Sequence, residues 1–459
     1  MKKILYFFLL ILLIPKIVVL MSGCAQIMAP TGGPRDTIPP ILVSSNPKVP
    51  AINFTGNRIN LYFDEYVQLQ ELQQNLLVSP TPKVNPYIDS KLRMVSIRLR
   101  DTLEPNTTYT INLGNSIRDI NENNVLKDFR YVFSTGPTID SLSFSGKVQV
   151  AETGKVDSTI IVLLYKNLVD SAVAKQKPKY IARLDGTGNF SFENLAAGEY
   201  KVYALKDGDG SRTYNSKTEL FAFADSSIQV NANTIPVSLF AYAEEKEVPR
   251  PQAAIKKLTY TSKIPSQKHD VLTDVRIEFN RPLKNVDKQK VILTDTLNNV
   301  INNVAITTDS TNKNLTVRTQ WLQNADYKLI IQKDFATDTS GLYSLAKTDT
   351  IRFKTKGETD YGIVKLTFSN FDKTKNPVLQ FVQNDVVVSS YALTAQTWSA
   401  PLFNPGEYEM RILYDDNKNG IWDPGNFVQK RQPEKVYGIP RKLSVRENFE
   451  NNIDIQLPK

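Results

Sequence analysis

Ile59-Asn60-Leu61-Tyr62-Phe63 is the stretch that decides the fold of this chain. Apolar side chains at 59, 61 and 63 alternate with Asn60 and Tyr62, so the segment has one face for a core and one for water. A period of two belongs to a β-strand buried on one side, not to a helix. The same alternation recurs at Val95, Ile97 and Leu99, at Tyr109, Ile111 and Leu113, and at Phe129, Tyr131 and Phe133. Long helical periodicity is nearly absent. Short, half-buried strands with turn signals between them predict antiparallel sheets packed as a β-sandwich.

The pattern then returns. Val275, Ile277 and Phe279 repeat the first strand, Leu315 and Val317 the second, Tyr327, Leu329 and Ile331 the third, and Ile351 and Phe353 the last. Phe63 and Phe279 are 216 residues apart, Tyr109 and Tyr327 218, and Phe133 and Phe353 220. Near-constant spacing over three strands predicts an internal duplication. A second module is duplicated as well. Leu195-Ala196-Ala197-Gly198-Glu199-Tyr200 aligns with Phe403-Asn404-Pro405-Gly406-Glu407-Tyr408, and an acidic turn starts nine residues after each glycine, at Asp207 and Asp415. Strand-like runs precede them, Ile160 to Tyr165 and Val378 to Val382. The expected order is sandwich, smaller β-module, sandwich, smaller β-module. Lys246 to Gln252, with Pro249 and Pro251, reads as a linker, because proline disfavours strand pairing.

The N-terminus carries a different signal. Lys2 and Lys3 precede an apolar run from Ile4 to Ile14. After Pro15-Lys16 comes Ile17-Val18-Val19-Leu20, and then Met21-Ser22-Gly23-Cys24. A charged start, an apolar middle and small residues before a cut site predict a secretory signal over residues 1–23. Lys16 divides the run into pieces shorter than the roughly 18 residues of a membrane span. Cys24 is the only cysteine, and Ser22-Gly23-Cys24 resembles the lipobox of bacterial lipoproteins. That resemblance implies a diacylglyceryl chain on the Cys24 thiol, cleavage before it and acylation of the new amine. Each acyl methylene contributes about 0.8 kcal/mol of membrane affinity, so two or more chains hold a protein lastingly.

Composition excludes several functions. The net charge of +9 includes three lysines of the signal, which leaves +6 on the mature chain. Both signs are interspersed, without the clustered Lys/Arg stripe of a nucleic-acid binder. With Cys24 acylated no thiol remains for a disulfide. His269 is the sole histidine, which removes the usual general base, serine triads and histidine zinc sites. Within Gln267-Lys268-His269-Asp270 it reads as an exposed loop residue. Asp64 and Glu65 are adjacent on a strand and point to opposite faces, so they are no catalytic pair. Asp119 and Asp338 hold matching places before the last strand of each larger sandwich and read as turn formers.

One segment has a metal-binding pattern. In Asp415-Asp416-Asn417-Lys418-Asn419-Gly420-Ile421-Trp422-Asp423, oxygen-bearing side chains alternate at 415, 417 and 419 and a glycine follows. Such spacing curls oxygens around a hard cation, and the glycine permits the sharp turn. Asp415, Asn417, Asn419 and Asp423 are therefore the candidate calcium ligands, although Asn426 stands where a bidentate Glu belongs. The competing reading is a turn rich in Asx residues and glycine. The related Asp207-Gly208-Asp209-Gly210 is shorter. Trp321, Trp398 and Trp422 are candidates for sugar stacking, with core packing as the other role of such residues.

Several motifs resemble known families. Asp36-Thr37-Ile38-Pro39-Pro40, Leu103-Glu104-Pro105-Asn106-Thr107-Thr108-Tyr109 and Phe133-Ser134-Thr135-Gly136 resemble the bacterial Ig-like domain named after the S-layer protein SbsA. Phe279-Asn280-Arg281-Pro282, Leu322 to Tyr327 and Phe353-Lys354-Thr355 form a similar second copy. Asp185-Gly186-Thr187-Gly188-Asn189-Phe190 before Gly198-Glu199-Tyr200 resembles prealbumin-like modules of the carboxypeptidase-regulatory and collagen-adhesin B types. The arrangement is similar to lipoproteins of Bacteroidota. These resemblances imply envelope modules with binding or spacing roles and no catalytic residues.

The expectation is an all-β chain of tandem, duplicated β-sandwich modules. It divides as a signal peptide at 1–23, a tether at 24–37, Ig-like domains at 38–137 and 247–357, and prealbumin-like modules at 138–246 and 358–459. The expected function is a non-enzymatic cell-envelope lipoprotein, a modular spacer or binding arm attached at Cys24. The alternative is a glycan-binding lipoprotein for nutrient capture. Expected partners are a membrane, through the lipid, and an envelope protein or glycan, with no nucleic acid. Calcium is the one candidate cofactor. The expected location is the outer membrane. The sequence Ala25-Gln26-Ile27-Met28 lacks the acidic cluster of surface export and favours the periplasmic side.

Overall fold

The computed structural model describes residues 35–246, 257–264 and 268–458. Cys24, the signal stretch, most of the tether and the Pro249-Pro251 linker lie outside the described residues. The chain divides into two compact units, Met1–Ile139 and Asp140–Lys459.

The first unit is one β-sandwich. Arg58–Phe63 pairs antiparallel with Leu42–Asn46 and with Met94–Arg98, and Tyr87–Lys91 completes that sheet. Thr108–Gly114 is the centre of the facing sheet, between Phe129–Ser134 and Leu77–Ser79. Ile59, Leu61, Val95 and Ile97 meet Ile111, Leu113 and Phe133 in one fully buried core. Their positions are the alternate ones of the sequence pattern, because the pleat sends every second side chain inward. A small third ladder joins Val67–Leu69 to Ile117–Asp119 and Val125–Leu126.

The second unit holds three further sandwiches. One, within 257–357, repeats the strand order of the first unit's two main sheets, with Lys268–His269 added in parallel beside Asp349–Thr355. Val275–Phe279 lies between Tyr260–Ser262 and Asn314–Arg318, with Ala305–Thr308 outside. Asp326–Ile331 lies between Asp349–Thr355 and Val291–Thr294. The small ladder recurs as Leu283–Lys284 against Thr337–Asp338. The two Gly-Glu-Tyr modules share a different order. In each the first strand is central and pairs in parallel with the last: Leu142–Val150 with Val237–Ala241, and Gly362–Ser369 with Glu450–Gln456. The opposite sheets are built on Ile161–Tyr165 with Gly198–Leu205, and on Pro377–Gln383 with Gly406–Tyr414.

A tyrosine hydroxyl pins a backbone corner in every sandwich. Tyr109 Oη accepts from the Glu104 amide at 2.8 Å and Tyr327 Oη from the Leu322 amide at 3.3 Å. In the smaller modules the hydroxyl donates instead, from Tyr200 to the Ala196 carbonyl at 3.0 Å and from Tyr408 to the Asn404 carbonyl at 2.9 Å. The phenol buries its ring and still satisfies its polar end, as in the tyrosine corner of Ig-like folds. This is the physical content of the repeated Tyr motifs.

Two modules of the second unit that are not sequence neighbours also pack together. The outer face of the Pro377–Gln383 sheet packs on the 140–246 module. There, Lys155 bridges Asp385 and Glu409, each at 2.9 Å. Arg411, 7 % exposed, donates from Nε to Gln380 Oε1 at 2.8 Å. Gly154 has φ +67° in the opposing turn, and a Cβ there would lie 2.8 Å from the Val436 carbonyl. Only glycine takes that conformation at that approach without strain.

His269 corrects an expectation. It is 4 % exposed rather than a loop residue in water. Its ring packs 4.8 Å from Trp321 and 5.6 Å from Phe353, and Nε2 bonds the Thr273 carbonyl at 2.9 Å. The following Asp270 joins two modules: Tyr361 Oη donates to Oδ1 at 2.8 Å and Asn404 Nδ2 to Oδ2 at 2.7 Å.

Candidate functional site

The acidic loop begins where the Gly406–Tyr414 strand ends, and Asn376 O accepts from the Asp415 amide as the sheet runs out. Asp415 is 2 % exposed. Its carboxylate accepts from the Asn419 amide at 3.2 Å and the Gly420 amide at 2.7 Å. Asn417 and Asn419 direct their side-chain amides to Asp423 Oδ2 at 2.6 and 2.7 Å. The four sequence-predicted residues therefore come together in one loop. Gly420 has φ +80°, the left-handed turn that the motif requires.

Sequence reasoning missed Glu434. It lies beyond the loop and is 5 % exposed. Oε1 accepts from the Asp416 amide and Oε2 from the Asp423 amide, both at 2.9 Å. The Glu434 carbonyl accepts from Trp422 Nε1 at 2.9 Å. Burial pushes the Glu434 carboxyl above its ordinary range; the two amides oppose this, and the charges of Asp415 and Asp423 add to it. Its only sequence signal was an acidic residue after Gln432-Pro433, outside any fixed spacing from Asp415.

The donor set is all oxygen, which suits calcium rather than a soft metal. In this arrangement those oxygens are taken up by amide donors, so the loop is closed by its own hydrogen bonds. Among the described residues no group of three or more His, Cys, Asp or Glu side chains converges as a metal cage. The sister turn is smaller. Asp209 accepts from Asn215 Nδ2 and the Ser211 amide, both at 2.8 Å, and lies well below the usual carboxylate range for that reason.

The segment between Asp423 and Glu434 has a role of its own. It forms a tight hairpin, with Asn426 and Arg431 exchanging backbone bonds at 2.8 and 3.0 Å. Phe427 at its tip enters an aromatic nest of the 140–246 module formed by Tyr203, Tyr214, Phe221 and Phe223. The Phe427 amide donates to Glu244 Oε1 at 3.0 Å, and Lys430 pairs with Asp170 at 2.8 Å. The base of this clasp is thus the acidic loop itself.

The tryptophans each take part in packing. Trp321 is 8 % exposed within the aromatic box around His269. Trp398 and Trp422 are half-buried, the first against Phe381 and Phe403. Asp119 and Asp338 are the turn formers expected of them. Asp119 is fully buried, and the amides of Glu122, Asn123 and Asn124 donate to its carboxylate. Burial works against its charge, yet those amides hold its pKa below the ordinary value. Asp338 accepts likewise from Leu342 and Tyr343 and pairs with Arg281 at 3.0 Å.

The fold defines the class: an all-β chain of tandem Ig-like β-sandwich modules. The family described as the bacterial Ig-like domain matches residues 36–135. No curated protein matches the chain. Among solved structures, the major pilin subunit BcpA of Bacillus cereus is similar at 12 % identity, over 68 % of this chain and 99 % of that one, with a TM-score of 0.17. The TIE protein of Bacillus anthracis is similar at 13 % identity, over 93 % and 75 %, with a TM-score of 0.18. The S-layer protein rSbsC is similar at 12 % identity, over 91 % and 54 %, with a TM-score of 0.16. Among the described residues no helix is long and apolar enough to cross a membrane.

Proposed function

We propose that this chain is a non-enzymatic lipoprotein of the cell envelope, held to a membrane by lipid on Cys24 and presenting its sandwiches as a spacer and binding arm. The observation that carries the non-enzymatic part is how the buried acids are used. Asp119, Asp338 and Asp415 spend oxygens on amides of their own loops and Glu434 on amides of the acidic loop, so they shape turns and present no free base to a substrate. His269, the residue type most used for proton transfer, is packed between aromatic rings. The lipid part is supported by Met21-Ser22-Gly23-Cys24 after an apolar run.

The test is expression of the full chain with and without Cys24→Ser, followed by fractionation and labelling with a radioactive fatty acid. The parent is expected in the membrane fraction with label. The Cys24→Ser chain is expected to carry no label and to lose its membrane retention. Retention of that variant in the membrane would refute lipid anchoring, and turnover of a substrate by the purified chain would refute the non-enzymatic reading.

A further inference from the structure

A charged side chain is buried without a paired counter-charge where the 140–246 module meets the outer face of the last module. Arg411 is 7 % exposed. Its Nε donates to Gln380, itself buried, and among the described residues no hydrogen bond or ion pair engages its two Nη groups. Burial works against the charge of this guanidinium, and Glu152 and Glu409 favour it without pairing with it. Arginine keeps its proton inside proteins. A buried charge of this kind is costly unless something of opposite sign meets it.

Arg411 lines a cleft of about 260 Å³ between the two modules, close to the roughly 300 Å³ at which small-molecule sites begin. The other charges of the cleft cancel. Lys155 bridges Asp385 and Glu409, and Lys442 lies 3.8 Å from Glu409, so two cations face two carboxylates. Glu152 does not line the cleft and is paired with Lys246 at 3.0 Å. One positive charge remains, that of Arg411. Gly438 faces Arg411 on the neighbouring strand and has no side chain to cover it. Val382 and Pro440 give the lining an apolar part.

We propose that this cleft binds a small aliphatic monocarboxylate, whose two oxygens accept from Nη1 and Nη2 of Arg411 and whose short chain lies against Val382 and Pro440. The remaining charge of one selects a monoanion. A dianion would bring a second negative charge towards Asp385 and Glu409 with nothing left to offset it. With Nε held by Gln380, the Nη pair is the part of the fork left for a planar acceptor with two oxygens. The site stands whether or not lipid is attached at Cys24.

The test titrates the full chain carrying Cys24→Ser with butyrate at constant ionic strength, read by calorimetry and by the thermal midpoint. A dissociation constant of about 1 mM is expected for a ligand of this size. Butanol and butylammonium are expected to give neither heat nor shift. Arg411→Met should abolish the binding. Lys155→Met leaves Arg411 in place and deprives Asp385 and Glu409 of their shared cation, so it should weaken binding about tenfold. Lys155 is exposed, and this variant keeps the test decisive if Arg411→Met does not fold. Equal responses to the three compounds, or butyrate binding unchanged in either folded variant, would overturn the proposal. So would a parent chain that gives no heat at about 20 mM butyrate.

Discussion

Phe427 stands edge-on to Phe221, with ring centroids 5.0 Å apart and planes at 71°, and this contact joins modules separated by an entire sandwich in the sequence. The ring sits at the tip of a hairpin rooted in the acidic loop. Its neighbours Tyr203, Tyr214 and Phe223 all belong to the other module.

Truncation of that ring tests the clasp. Phe427 is half-buried, so Phe427→Ala should cost about 1–2 kcal/mol, the transfer of part of an aromatic side chain plus its edge-on contacts. In calorimetry a transition shared by the two Gly-Glu-Tyr modules should separate into two. Hydrogen exchange should rise in Phe221–Phe223 and leave the 36–135 sandwich unchanged. An unaltered thermogram would mean that the clasp is not what couples them.

The acidic loop is expected to take calcium at millimolar strength, in the range of extracellular modules with incomplete ligand sets. Binding would turn the side chains of Asn417 and Asn419 so that oxygens replace amide groups. Asp415→Ala should remove the heat of titration. A titration without heat at millimolar calcium would leave the loop as a self-bonded turn.

Acidification should loosen the His269 box. Burial is the main cause that lowers the His269 pKa from 6.5, against the opposing pull of its Thr273 bond and of Asp270 and Asp274. The unfolded chain then binds the proton more readily than the folded one. Stability from this residue is complete above pH 6.5, and it falls as the pH drops from there towards the folded value. Urea midpoints of the parent and of His269→Gln should converge as the pH goes from 7.5 to about 5.5, because the variant lacks this loss. Parallel pH curves would show that the ring is not the titrating group.

The hydroxyl corners carry a simple substitution test. Tyr408→Phe keeps the buried ring and deletes the 2.9 Å bond to Asn404 O. The expected loss is about 1 kcal/mol, that of one hydrogen bond whose acceptor is left in a partly buried site. Asn404 also donates to Asp270, so the loss should include looser docking of the 257–357 sandwich, visible as faster exchange at Val271. An effect confined to the last module would separate the corner from the junction.

Much of this architecture could be read from spacing. Alternation at Ile59, Leu61 and Phe63, and again at Val275, Ile277 and Phe279, reports burial on one face, and burial on one face is what makes a sandwich. The alternation fails where a sheet is covered twice. Pro377–Gln383 is buried along nearly its whole length, because its outer face meets another module, and no periodicity announces such a neighbour. His269 was misread for a related reason. Its sequence neighbours are polar, and the aromatic rings that enclose it arrive from Trp321 and Phe353. The acidic loop was legible because its oxygens follow one another at fixed steps. Glu434 was not, since the hairpin bearing Phe427 is inserted before it, and the length of an insertion has no bearing on where its ends meet.

The side-by-side, same-direction pairing of first and last strands in each Gly-Glu-Tyr module has a mechanical consequence. In the 140–246 module the partners run from Gly146 with Val237 to Val150 with Ala241. Tension drawn through the two ends of such a module slides these strands lengthwise past each other. The bridging bonds then share the strain at once, where an antiparallel hairpin would peel apart one rung at a time. A module of this design yields late and abruptly under load.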